Sequence, residues 1–129
     1  MDTRKLSTVR MFSGLSKKEL EKLAQWTDEV NVPAGTEIAS QGRFAHEFFV
    51  IEDGAAVVTH DGNTIAELGA GDFFGEIGLI ETQRRTATVT ASTPMRLIVM
   101  FEREFKQMER EMPAVADRIR AAIRARLDA

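Results

Sequence analysis

The 129-residue chain contains no cysteine. Disulfides and thiolate metal sites are therefore excluded, and a reducing compartment is compatible with the composition. Histidine is nearly as scarce: His46 and His60 stand apart in the sequence, so a histidine-built metal site is not expected. No apolar run approaches the length of a membrane span, and the N-terminus has no apolar signal core. The expected setting is cytoplasmic, with no membrane segment in this chain. No Ser/Pro-rich linker, internal repeat or low-complexity stretch divides residues 1–129, so one domain with a core of ordinary size is expected. A content of 43% hydrophobic and 29% charged residues suits a soluble globular protein.

Positive charge is almost missing from the middle of the chain. Residues 31–82 carry nine acids against one base, Arg43, whereas residues 83–129 carry ten Arg or Lys against six acids. The net charge of −3 conceals this asymmetry. So acidic a middle argues against a nucleic-acid groove. An anionic ligand would have to be captured locally, against the surrounding field.

The pattern along the chain is mixed. Leu6, Val9 and Phe12 fall at helical spacing and predict a short helix over residues 1–12, broken by Ser13-Gly14. Ser16 and Glu19 form a capping box ahead of an apolar stripe of Leu20, Leu23 and Ala24 that runs to Trp26. From Val30 the period changes to two. Short strands are predicted near 30–32, 37–40, 47–52, 55–60 and 64–68, with Asp61-Gly62 as a hairpin turn beside His60. Another is predicted over 86–90, and a last one over 95–100, with Pro94 where a missing N–H is tolerated. Phe101, Phe105, Met108 and Met112 predict an amphipathic helix stopped near Pro113, and Val115, Ile119, Ile123 and Leu127 predict another after it. Strands at this spacing suggest a sandwich or jelly roll.

The chemistry concentrates in one stretch, Phe74-Gly75-Glu76-Ile77-Gly78-Leu79-Ile80-Glu81-Thr82-Gln83-Arg84-Arg85-Thr86-Ala87-Thr88-Val89. Gly75 and Gly78 carry no Cβ and let backbone N–H groups approach a ligand closely. N–H groups opening a short helix make an anion site, and Arg85 adds a planar guanidinium that suits phosphate. Glu76 would repel an anion unless it accepted hydrogen bonds from nearby hydroxyls. An anion that also carries a sugar hydroxyl meets both demands, which points to a nucleotide.

This stretch resembles the phosphate-binding cassette of the cyclic nucleotide-binding domain family, shared by kinase regulatory subunits, cyclic-nucleotide-gated channels and catabolite activators. The family pattern is Phe-Gly-Glu-(Ile/Leu)-small-Leu-(Leu/Ile), a spacer, then Arg-(Ala/Thr)-Ala-(Thr/Ser)-Val, and every element is present in order. Departures are small: Gly78 stands where Ala or Ser is more usual, and Arg84 where several kinase-type members have Pro. The resemblance implies an α+β fold, a β-roll (a jelly-roll-like double-stranded β-helix) flanked by N-terminal and C-terminal helices. It divides the chain into helices over 1–29, the roll over 30–100 with the cassette at 74–89, and helices over 101–129.

The resemblance also implies a ligand set of Val58, Leu68, Phe74, Gly75, Glu76, Ile77, Gly78, Arg85, Thr86, Ala87 and Arg126. Glu76 would accept the ribose 2′-hydroxyl and Arg85 would hold a cyclic-phosphate oxygen. Amides around Ile77, Gly78 and Thr86 would take the other phosphate oxygens. Val58 and Leu68 match positions that sandwich the purine, with plain core packing an equal reading. Thr86 leaves cAMP and cGMP both open. Arg126 falls inside the apolar arc of its helix, about 120° wide; it either snorkels to water or stacks over the purine, as in several channel-type members.

The implied function is a regulatory module that binds cAMP or cGMP as ligand, needs no cofactor or metal, and changes its C-terminal helix on binding. It would act on a protein partner or a fused effector and would not be an enzyme: neither His is placed for hydrolysis, and Glu76 beside an Arg stays ionised as an acceptor. A catabolite-activator type of transcription factor needs a helix-turn-helix beyond the roll, for which the chain leaves no room. The alternative of another class is a β-roll scaffold that no longer binds nucleotide, against which Glu76 and Arg85 stand.

Overall fold

Phe48 and Val50 face one side of a strand, Phe49 and Ile51 the other, and all four are buried. A strand that buries both faces must lie between two layers of core, and the architecture follows from that. In the computed structural model of the chain, residues 2–42, 47–75 and 87–127 are described, the side chains of Arg10 and of residues 123–127 apart. Helix α1 (Thr3–Ser7), a 3-10 turn (Arg10–Phe12) and α2 (Lys17–Gln25) come first. Strands β1 (Asp28–Val32), β2 (Glu37–Ala39), β3 (Glu47–Asp53), β4 (Ala56–His60) and β5 (Asn63–Leu68) follow. Then come β6 (Phe73–Phe74), β7 (Thr88–Ala91), β8 (Met95–Phe101) and helices α3 (Glu102–Glu111) and α4 (Pro113–Leu127).

The strands pair antiparallel into two four-stranded sheets, ordered β1-β8-β3-β6 and β2-β7-β4-β5. Phe49, Ile51, Leu97 and Val99 of the first sheet meet Ala39, Ala56, Leu68, Val89 and Ala91 of the second in the roll interior. Phe48, Val50, Ile98 and Met100 turn the other way, against Leu6, Phe12, Leu23, Phe105, Met108 and Ile119 of the helices. The molecule is thus layered: helices, first sheet, roll interior, second sheet. This is the expected β-roll with helices at both ends. Among the described residues no helix is long and apolar enough to cross a membrane.

Local chemistry explains most boundaries. The capping box at the start of α2 forms in full, with Ser16 N–H donating to Glu19 at 2.8 Å and Glu19 N–H donating to Ser16 Oγ at 3.1 Å. The Asp61-Gly62 turn has both residues left-handed, at φ 51° and 82°, as a two-residue hairpin requires. Two expectations need correction. The helix over residues 1–12 is two pieces, because the Ser7 and Thr8 hydroxyls donate to Arg4 and Lys5 carbonyls at 2.7 Å and so compete with helical N–H groups. Phe101 does not begin the stripe of the following helix. It is the last residue of β8, paired with Glu47, and strand alternation turns it away from buried Met100, leaving it 40% exposed. The stripe that packs is Phe105 and Met108, with Met112 half-buried.

Candidate functional site

The two ends of the cassette stretch are fixed to different sheets. Its first residue, Phe74, belongs to β6 and sits opposite Phe49, with the rings stacked at 4.9 Å and 18°. Phe73 points to the helical side and meets Phe48 at 5.8 Å. Consecutive phenylalanines on opposite faces clamp the lead-in strand from both core layers. Gly75 follows at φ 80°, a left-handed backbone that glycine adopts without penalty. At the other end Ala87 is half-buried and Thr88 starts β7, which lies between β2 and β4 in the second sheet. The stretch therefore begins on one sheet and ends on the other. Glu76, Ile77, Gly78, Arg85 and Thr86 lie outside the described residues, as does the short helical segment expected between them.

The remaining expected residues are placed unequally. Val58 pairs with Ala66 and with Val89, the last residue of the cassette stretch, beside the Thr59–Thr88 pair, and is only half-buried. It packs at the edge of the roll-interior core. Leu68 pairs with Ala56, three residues further along β4 from Thr59, and is 8% exposed in the roll interior. Arg126 lies in α4, but its side chain is outside the described ones. Among the described residues no three His, Asp or Glu side chains gather as a metal site would require.

Three features had no distinct sequence signal. Gln41 donates its backbone N–H to Thr88 Oγ1 at 2.9 Å. Its side-chain amide also clasps Asp61, donating to the carboxylate at 2.8 Å and accepting from the backbone N–H at 2.9 Å. The loop after β2, the β4–β5 turn and the start of β7 are tied together by this one residue. Arg118 of α4 donates to Ser13 O. With Ala122 it also walls a cleft of about 250 Å³ against Met11, Gly71 and Phe73. Helix α4 thus borders the strand that leads into the cassette.

The third is an acidic pair under α1. Lys5 Nζ lies 3.0 Å from both Glu29 carboxylate oxygens, and Glu52 stands beside Glu29. Glu52 lines a cleft of about 380 Å³ with Thr8, Val9, Ala70, Gly71 and Asp72. Its Oε2 is buried, and among the described residues no donor reaches it. A proton shared between the two carboxylates would relieve their repulsion. Burial, then the hydrogen bond and charge of Glu29, raise the Glu52 pKa. The hydrogen bond from Glu52, then Lys5, lowers that of Glu29.

These shifts act on stability in opposite directions. The raised Glu52 favours the fold below the unfolded value and loses that contribution as pH rises through the folded one. The lowered Glu29 contributes above the unfolded value and loses it as pH falls. Glu52→Gln keeps a donor without an ionisable proton, so the variant should gain on wild type as pH rises above the ordinary carboxylate range. The pair is partly exposed, so the gain is about 1 kcal/mol or less. Thermal melts from that range upward check it; parallel pH profiles would rule out the shared proton.

The cyclic nucleotide-binding domain profile matches residues 29–111. The chain is 32% identical over 115 residues to a cyclic nucleotide-gated potassium channel of Rhizobium etli, covering 89% of this chain and 32% of the channel. It is 35% identical over 104 residues to a cAMP-dependent protein kinase regulatory subunit of Schizosaccharomyces pombe, covering 80% of this chain and 25% of that protein. This chain therefore corresponds to a quarter to a third of the length of those relatives. The regulatory domain of Toxoplasma gondii PKA, solved with cAMP, superposes with a TM-score of 0.79 at 26% identity, over 95% of this chain and 48% of that one. The fold, the motif and the profile agree, and the chain belongs to the cyclic nucleotide-binding domain family.

Proposed function

We propose that the chain is a sensory module that binds a cyclic purine nucleotide, cAMP or cGMP, at residues 74–89 and catalyses no reaction on it. The observation that carries this reading is the intact Phe-Gly-Glu and Arg-Thr-Ala-Thr-Val pair of motifs, held at one end by Phe74 on the first sheet and at the other by Thr88 on the second. In it Glu76 accepts the ribose 2′-hydroxyl, Arg85 holds the cyclic phosphate, and amides near Ile77, Gly78 and Thr86 complete the phosphate shell. Val58 lies against the purine, and Arg126 closes over it from α4. The cAMP in the Toxoplasma relative supports the ligand class.

Binding passes to α4, and from there to a protein partner or fused effector. Support for that route comes from the cleft that Arg118 and Ala122 share with Gly71 and Phe73. Isothermal titration with cAMP, cGMP and 5′-AMP tests binding: a cyclic nucleotide should bind with a free energy of roughly 8 kcal/mol or more, micromolar or tighter, and 5′-AMP far more weakly. No heat with either cyclic nucleotide leaves a scaffold role in its place. Ligand-dependent protection of residues 114–127 in hydrogen exchange tests the route, and Arg126→Ala should remove it.

A further inference from the structure

The outer face of α3 is basic and carries an apolar anchor. At about 100° per residue, Arg103, Lys106 and Arg110 fall within one 60° arc, opposite the buried Phe105 and Met108. The helix's carboxylates are paired: Glu109 with Arg120, and Glu111 with Lys22 at 3.4 Å. Glu102 meets Lys106 at 3.2 Å and Glu104 meets Arg103 at 3.5 Å, with both carboxylates 20% exposed while the Lys106 and Arg103 side chains are 65% and 89% exposed. The exposed Phe101 ring lines the same depression as Arg103, Lys106 and Arg110, a hollow of about 570 Å³ in which Glu102, paired with Lys106, supplies one acid against three bases.

The opposite side of the molecule has the complementary character. Sheet register places Glu37, Thr90, Val57 and Glu67 in one row across β2, β7, β4 and β5. The neighbouring row of Ala56, Ala91 and Leu68 is buried, so this row faces outward, with Glu37 and Glu67 exposed at its ends. The β4–β5 register shift leaves Ile65 without a partner, 61% exposed beside Glu67. Among the described residues, Phe101 and Ile65 are two of only three exposed large apolar side chains.

The dimensions agree as well. Glu37 and Glu67 are separated by three strand spacings, about 14 Å, and Arg103 and Arg110 by a helical rise of about 10 Å. Long side chains span the difference. The basic stripe lies on the helix layer and the Glu37–Glu67 row on the outer face of the second sheet, with the first sheet and the roll interior between them, so one chain cannot bring the opposite charges together.

We infer that a second copy of this chain docks there, α3 of one copy on the outer face of the β2-β7-β4-β5 sheet of the next, with Phe101 against Ile65 and the basic stripe against Glu37 and Glu67. The patches differ, so the contact is head-to-tail and gives a ring or an open chain of copies rather than a two-fold dimer. Sedimentation velocity of the full chain over a concentration series tests it. Association should weaken at least about tenfold between low and high salt.

Arg103→Glu/Lys106→Glu and Glu37→Lys/Glu67→Lys should each be monomeric alone and associate when mixed, since the mixture restores opposite charges. A wild-type chain that stays monomeric at low salt overturns the inference and leaves the basic stripe to an acidic partner protein. So does association that ignores salt or survives either reversal. Should a reversed variant fail to fold, the wild-type salt series decides alone. No nucleotide is added, so the outcome is independent of the binding proposed for residues 74–89.

Discussion

Arg85→Ala lowers affinity for cyclic nucleotide by more than about a hundredfold, about 3 kcal/mol or more. The cyclic phosphate keeps its negative charge when bound, and the middle of the chain, residues 31–82, carries nine acids against one base, a field that opposes an anion. Amide dipoles alone then have to offset both the desolvation of the phosphate and that field. A lysine in place of Arg85 recovers only part of the loss, because a point charge cannot make the paired, coplanar hydrogen bonds of a guanidinium. Glu76→Ala costs less, since it removes hydrogen bonds to a hydroxyl but also a repulsion with the phosphate. Titration of the three variants with cAMP and cGMP checks the order. Equal affinity of wild type and Arg85→Ala would remove Arg85 from the site whatever the fold.

Phe105→Ala destabilises the protein by about 3–5 kcal/mol, a large share of the 5–15 kcal/mol that typically holds a domain. Phe105 is fully buried among Phe12, Phe48, Met108 and Ile119, where α3 meets the first sheet and the N-terminal segment. Truncation opens a cavity between rigid elements that cannot close on it. It also removes the ring over which the Arg120 guanidinium sits at 5.3 Å. Chemical denaturation measures the loss. Phe101→Ala, four residues away and 40% exposed, is the control and should cost about 0.5 kcal/mol or less. A cost below about 1 kcal/mol for Phe105→Ala would mean that α3 is not held through this ring.

The contrast between those two phenylalanines marks how far the sequence could be read. Period-three and period-four spacing put Phe101 and Phe105 on one stripe. Only the pairing of Phe101 with Glu47 across the sheet, a contact over 54 residues, reveals that the first is strand and exposed. Where the signal was local the reading was sound: the Ser16–Glu19 capping box and the Asp61-Gly62 turn both form as their chemistry dictates. The cassette was legible as a motif, since its residues are contiguous. Its anchoring was not, because Phe49 under Phe74 and Gln41 under Thr88 come from other parts of the chain. The Glu29–Glu52 pair escaped for the same reason: two carboxylates 23 residues apart become neighbours because β1 and β3 flank β8.

The central claim is that a cyclic nucleotide sits between the ends of the 74–89 stretch and the second sheet, near the Val58–Val89 pair. Backbone amide chemical shifts followed during a cAMP titration test it most directly. Saturable shifts should be largest for residues 75–88 and should extend to Val58 and Val89, with smaller changes in α4. Leu68, at the far end of the roll interior, should move less than Val58. No shift with either cyclic nucleotide, or saturable shifts confined to α3 or the outer sheet face, would contradict the assignment.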